Sequence, residues 1–257
     1  MRLAHTDEAG LGNPAEDPIT LVCSIIVQGD TQYRPIIEDL DYLVNHFIPP
    51  ADRPGFIFHA TDLFSGGPYF TRDKWSRETR WQILSEIASI VRTRKLPVCL
   101  AYTNRAEYPQ IHADAGRDPS RVDSDLHALV FAVCVMTVDK WMAHNADDEI
   151  AVLVVEDANK AKTAMKNAVR FLSNPDKVKA LAYKIKVEPI TRIADTPHFV
   201  KKDECRIMQV VDACAFLTKR KALGKKEAPA FDHCFEGVEF YVVPWRNALP
   251  PAFPARI

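Results

Sequence analysis

Glycine is scarce in this chain, 9 residues in 257, and none of it forms a phosphate-cradling loop. The sequence holds no G-x-x-x-x-G-K-[ST], no G-x-S-x-G and no G-x-G-x-x-G, so P-loop, nucleophile-elbow and dinucleotide chemistry have no local signature here. The six cysteines, at 23, 99, 134, 205, 214 and 234, include no C-x-x-C pair and no zinc-ligand spacing. They sit in apolar stretches and read as free buried thiols rather than a disulfide framework. No uninterrupted apolar run reaches the roughly 18 residues of a membrane span. The N-terminus, MRLAHTDEAG, carries acids where a signal peptide is apolar, so a cytoplasmic protein is expected, with no membrane partner.

Composition is otherwise that of a globular chain: 47% hydrophobic and 26% charged, with 33 basic against 34 acidic side chains. A chain of this length buries a full core without a staple. The even balance conceals an asymmetry. Residues 158–226 hold 17 Lys and Arg against 6 Asp and Glu. A basic third can neutralise phosphates, so nucleic acid is the expected partner, although the solvated face of two helices has the same composition. Self-association is left open.

Hydrophobic periodicity gives the organisation. Met1–Thr6 and Leu21–Val27 read as two strands around the polar GLGNPAEDP, where Gly10 and Gly12 mark a bend. Ile36–Phe47 has helical spacing and ends at Pro49–Pro50, and Trp75–Arg94 is amphipathic. Pro97–Thr103 is a short strand, Asp123–His144 a buried helix, and Ile150–Val155 an apolar run of the kind found in a central strand. Asn159 could cap a helix with Met165, Val169 and Leu172 inward. Ile185–Ile190 reads as a strand, Glu204–Lys221 as a helix and Phe240–Val243 as a last strand. Strands and helices alternate without a compositional break, which predicts one mixed α/β domain over residues 1–245 and a Pro-rich tail, 246–257.

Four groups could carry chemistry. Asp7–Glu8 ends the first strand. His59 and Asp62 lie in FHATDLF. Glu156–Asp157 follows the strand IAVLVV, and strand alternation puts only one of these two acids on a given face. Gln209 and Asp212 share one side of the helix CRIMQVVDACAFLTKR, opposite the stripe Ile207, Val210, Val211 and Cys214. Asp212 is the most informative, because a carboxylate among VVDACAFL needs a cation, a donor or a metal. Each group alone has an ordinary structural explanation: a turn, a cap, a loop histidine, a salt bridge. Together, acids ending the first and a later strand and one on a C-terminal helix could converge at one sheet edge. Three or four such oxygens suit Mg²⁺ or Mn²⁺, and two such ions would clamp an in-line phosphoryl displacement.

HTDEAG, FHATDLFSG, LVVEDANK and DTPHFVKKDECRIMQVVDACAFLTKR, spread over residues 5–220, resemble the family catalogued as domain of unknown function 3800, in the ribonuclease H-like group. The last segment is the most specific, with Gln209 and Asp212–Ala213 matching the Gln-x-x-Asp-Ala helix. The usual D-E-S-G start stands here as Asp7–Glu8–Ala9–Gly10. Lys201 or Lys202 occupies a position where serine is usual, so hydrogen bonding near Asp212 is expected to differ. The resemblance implies an α/β, ribonuclease H-like fold: a five-stranded mixed sheet flanked by helices on both faces. It implies Mg²⁺ or Mn²⁺ held by Asp7, Asp212 and either Glu156 or Asp157. Glu8 would sit beside the first ligand, and His59 at the rim as a proton donor or phosphate contact. The activity implied is two-metal phosphodiester hydrolysis, with Lys160, Lys162, Lys166 and Arg170 guiding the backbone. The alternative is a non-catalytic domain that binds nucleic acid or protein, linked to phage defence or mobile elements.

Overall fold

The computed structural model describes residues 1–10, 12, 17–106, 108–114, 116, 118–157, 161–182 and 188–244. The expected cap at Asn159, the contact residue Lys160, Trp245 and the Pro-rich tail lie outside the described residues.

The chain runs β1 (Arg2–Ala9), β2 (Ile19–Gln28), α1 (Tyr33–Phe47), α2 (Ala60–Ser65), α3 (Arg77–Thr93), β3 (Val98–Asn104), α4 (Tyr108–Asp114) and α5 (Val122–Asn145). It continues through β4 (Ala151–Glu156), α6 (Lys162–Leu172), α7 (Pro175–Ala182), β5 (Ile193–Val200), α8 (Met208–Ala222) and β6 (Phe240–Pro244). The strands form one mixed sheet in the order β5-β4-β1-β2-β3-β6. β1 and β2 pair antiparallel, as do β2 and β3, whereas β4 is parallel to both β1 and β5, and β6 is parallel to β3. The α/β class and the flanking helices agree with the sequence. Among the described residues the strand count is six rather than five, because Phe240–Pro244 extends the sheet beyond β3.

Helices cover both faces, and two cores result. On one face α1, α3 and α8 pack on the sheet, with Ile36, Leu40, Leu84, Ile87, Val210 and Cys214 buried. On the other, α5 and α6 enclose Phe131, Val138, Leu153, Met165 and Val169. β2 lies under both layers, and nine of its ten residues are buried, from Ile19 to Val27. That is the physical meaning of a continuous apolar strand. α5 belongs to the same logic. With residues 119–121 it is long and apolar enough to cross a membrane, yet 72% of its most apolar stretch is buried inside the fold. Its hydrophobicity is that of a core helix. All six cysteines are buried and free.

One expected strand is misplaced. Ile185–Ile190 falls partly outside the described residues, and 188–190 have no regular structure. The strand is β5, Ile193–Val200, whose pattern is disturbed by Pro197 and a register shift opposite Val152–Val154. Among the described residues it is an outer strand paired only with β4, so it can carry a proline that a central strand would reject.

Candidate functional site: an acidic cluster around Lys202

Strand alternation sorts the acids. On β1, His5 and Asp7 face the layer of α8, while Thr6 and Glu8 face the layer of α5. Glu8 meets His127 of α5, its Oε1 3.3 Å from the imidazole Nε2, and so lies across the sheet from Asp7. On β4, Ala151, Leu153 and Val155 enter the α5 core, and Val152, Val154 and Glu156 form the other row. Parallel pairing of β1 with β4 runs to Thr6–Val155. One step further along the same register sets Asp7 beside Glu156, and their carboxyls come within hydrogen-bonding reach.

Asp157, the alternative to Glu156, turns the other way. Its carboxylate pairs with Lys162 at the start of α6, and its backbone N–H donates to Val200 O at 2.7 Å. It is the residue after the strand, one position out of phase with the row that reaches the cluster, and Glu156 stands in the cluster instead.

Asp212 is the third member. α8 lies across β1 and β2 and buries Ile207, Val210, Val211 and Cys214. Its other side, carrying Gln209, Asp212 and Phe216, is roofed by α2 and the residues before it. Gln209 Oε1 accepts from Phe58 N at 2.9 Å, and Asp212 Oδ2 accepts from Ala60 N at 2.9 Å. Phe216 meets Phe64 at 5.3 Å between ring centres. The segment FHATDLF thus docks onto α8 through its backbone. His59 itself is exposed at the start of α2, beside Asp212 in the chain's path but pointing to solvent. Asp62 packs its side chain against Gly67, and its backbone O accepts from Gly66 N and Gly67 N to close the α2 turn.

At the centre of the cluster stands Lys202. Its Nζ lies 3.2 Å from Glu156 Oε1, 3.3 Å from Asp212 Oδ2 and 3.9 Å from Asp7 Oδ2. The lysine comes from the turn between β5 and α8, where Lys201 O accepts from Glu204 N at 3.0 Å and Cys205 N at 3.1 Å. Of the adjacent pair, Lys201 is exposed and Lys202 is 11% exposed in its side chain. Burial by itself would lower the Lys202 pKa, but the charges of Asp212, Asp7 and Glu156 outweigh it and the net displacement is upward. Asp7 is held well above the usual carboxylate range, by burial first, then by the neighbouring Glu156 carboxyl and the charge on Asp212.

Comparison of the chain with protein-family models and with curated proteins finds no match. The chemical reading therefore rests on the residues themselves. The donors are hard carboxylate oxygens, and one ammonium against three carboxylates leaves negative charge in excess. That donor set fits a hard divalent ion such as Mg²⁺ or Mn²⁺. Its arrangement is closed on a lysine: among the described residues no group of three or more His, Cys, Asp or Glu stands ready to coordinate an ion.

The basic residues lie elsewhere. Lys162 and Lys166 sit over the Phe199 ring at 5.7 and 5.5 Å, and Arg170 is exposed further along α6. Lys166 lines an open cleft with Asp195, Thr196, His198 and Phe199. Trp75 packs against Tyr69 and Phe70 and belongs to the core periphery. Sequence reasoning reached Lys202 only as one of two lysines at an unusual position. The doubled lysine before a helix gives no sign of which one turns inward.

Proposed function

We propose that this chain is a metal-dependent nuclease of ribonuclease H-like fold, hydrolysing a phosphodiester at Asp7, Glu156 and Asp212. The observation that carries the reading is the meeting of these three acids, from the first strand, the fourth strand and the last helix, around one point. The same placement supports the resemblance to the domain of unknown function 3800 family. Asp7, Glu156 and Asp212 would hold Mg²⁺ or Mn²⁺, which supplies an activated water and charge stabilisation for a two-metal in-line displacement.

The chain's own residues supply orientation. Glu8 N fixes Oδ1 of Asp7 at 2.7 Å and leaves Oδ2 toward Lys202, while Ala60 N and Lys202 both meet Oδ2 of Asp212. Glu156 and Asp212 are 16% and 19% exposed in their side chains, which leaves that side of the cluster open to a phosphate. His59, exposed next to Ala60, would contact the scissile group only from the rim. Lys162 is taken up by Asp157 on the α5 side of the sheet, so Lys166 and Arg170 would attract only backbone that runs past that side.

A second reading, a non-catalytic domain that binds nucleic acid or protein, is favoured by Lys202, which neutralises part of the cluster. Labelled RNA, DNA and hybrid duplex with Mn²⁺ separate the two. Cutting by the wild type that is lost in Asp212→Asn while binding persists supports the nuclease. Binding without cutting by either protein supports the second reading.

A further inference from the structure

Lys202 is not an incidental neighbour of the acids. It touches all three, it is the cation they share, and it arrives on a flexible four-carbon stem from a turn rather than from the sheet or a helix. We propose that Lys202 is a tethered cation holding the place of a divalent ion, so that the site loads only when the metal displaces its ammonium. The proposal rests on the reading of Asp7, Glu156 and Asp212 as a metal site, and it adds a threshold to that site.

The argument is geometric. Mg²⁺ bonds carboxylate oxygen at about 2.0–2.1 Å. Lys202 Nζ is 3.2 Å from Glu156 Oε1 and 3.3 Å from Asp212 Oδ2. An ion bound to either oxygen therefore lies within about 5 Å of the ammonium as it stands. Even at the dielectric constant of water, a divalent ion and an ammonium at that distance repel enough to cost about tenfold in affinity. The repulsion is relieved if Lys202 swings away. The cluster is not sealed: the Lys202 side chain is 11% exposed, and those of Glu156 and Asp212 are 16% and 19% exposed. The stem has no aromatic or backbone clamp among the described contacts; its ammonium is held by the three acids, which are the groups a metal would take over.

Two measurements on the full chain test this. Calorimetric titration with MnCl₂ compares wild type with Lys202→Met, which keeps the stem's bulk and removes the charge. The variant should bind Mn²⁺ about tenfold more tightly or better. In the wild type, reductive methylation read by mass spectrometry should modify Lys202 slowly without metal and faster at saturating Mg²⁺, while Lys201 labels at the same rate in both. This second measurement stands alone if Lys202→Met does not fold. Equal or weaker Mn²⁺ binding by a folded Lys202→Met protein, or Lys202 labelling that Mg²⁺ leaves unchanged, overturns the displacement while the metal site itself stands. No Mn²⁺ bound by either protein overturns the metal site and the displacement together.

Discussion

Replacing Asp7 by Asn should make the metal-free protein more stable, contrary to the usual result of altering a buried, hydrogen-bonded residue. Asn keeps the shape and the acceptor for Glu8 N, which lies 2.7 Å from Oδ1. What disappears is one negative charge at a site that already holds Glu156 and Asp212. Asp7 experiences two like charges and a single opposite one, Lys202 at 3.9 Å. At an effective dielectric constant near 20, a pair about 4 Å apart interacts by about 4 kcal/mol. The lysine cancels one repulsion, and the one left over, screened on the solvent-facing side of the cluster, leaves a gain of about 2 kcal/mol on substitution. For a domain of this size that is a rise in melting temperature of about 4–8 °C.

The sign with pH is fixed by the direction of the Asp7 shift. Its folded pKa lies above the ordinary value of 3.8, so the folded state holds the proton more tightly than the unfolded state does. Wild-type stability from this group is fully present below that ordinary value and is lost as pH rises through the raised one. Asn has no such loss. The advantage of Asp7→Asn should be small near pH 4.5 and larger near pH 8. Thermal melts in EDTA at both pH values measure it, and a destabilised variant at pH 8, or an equal gain at both, refutes the electrostatic account.

The adjacent acids on β4 should behave differently: Glu156→Gln should lower Mn²⁺-dependent cleavage by about 100-fold or more, while Asp157→Asn stays within about threefold of wild type, read in the same gel assay. Gln209→Ala leaves Phe58 N without its acceptor and should cost about 1–3 kcal/mol in urea denaturation, with FHATDLF loosened from α8 and its amides exchanging faster. Gly10→Ala should cost about 3 kcal/mol or more, because φ is +89° and a Cβ would stand 2.0 Å from Ile19 O; a melt within a degree of wild type would refute that strain.

Much of the fold was legible wherever burial is one-sided or complete. Leu21–Val27 is the heart of β2, Asp123–His144 is nearly all of α5, and Ile150–Val155 differs from β4 by one residue at each end. β5 was not legible, because an outer strand needs little apolar periodicity and Pro197 argues against a strand. The short helices α2, α4 and α7 carry too few turns to show a stripe. At the site, alternation stated that Glu156 and Asp157 must part company, but only the pairing of β4 with β1 says which goes where. The role of Lys202 depends on a side chain crossing from one connection to two strands and a helix, and no local pattern encodes that.

The paired acids at the ends of β1 and β4 have a consequence for how the chain tolerates insertions and deletions. Each doublet sends one carboxylate to either side of the sheet, Asp7 and Glu156 above, Glu8 and Asp157 below. Loss of a single residue earlier in either strand, which draws Glu8 or Asp157 into the place of Asp7 or Glu156, would therefore still deliver an acid to the cluster, whereas an insertion would bring Thr6 or Val155 there. The apolar rows beneath would be inverted by the same slip and the cores lost. Loss of one residue would thus be felt as misfolding long before it was felt as a missing ligand.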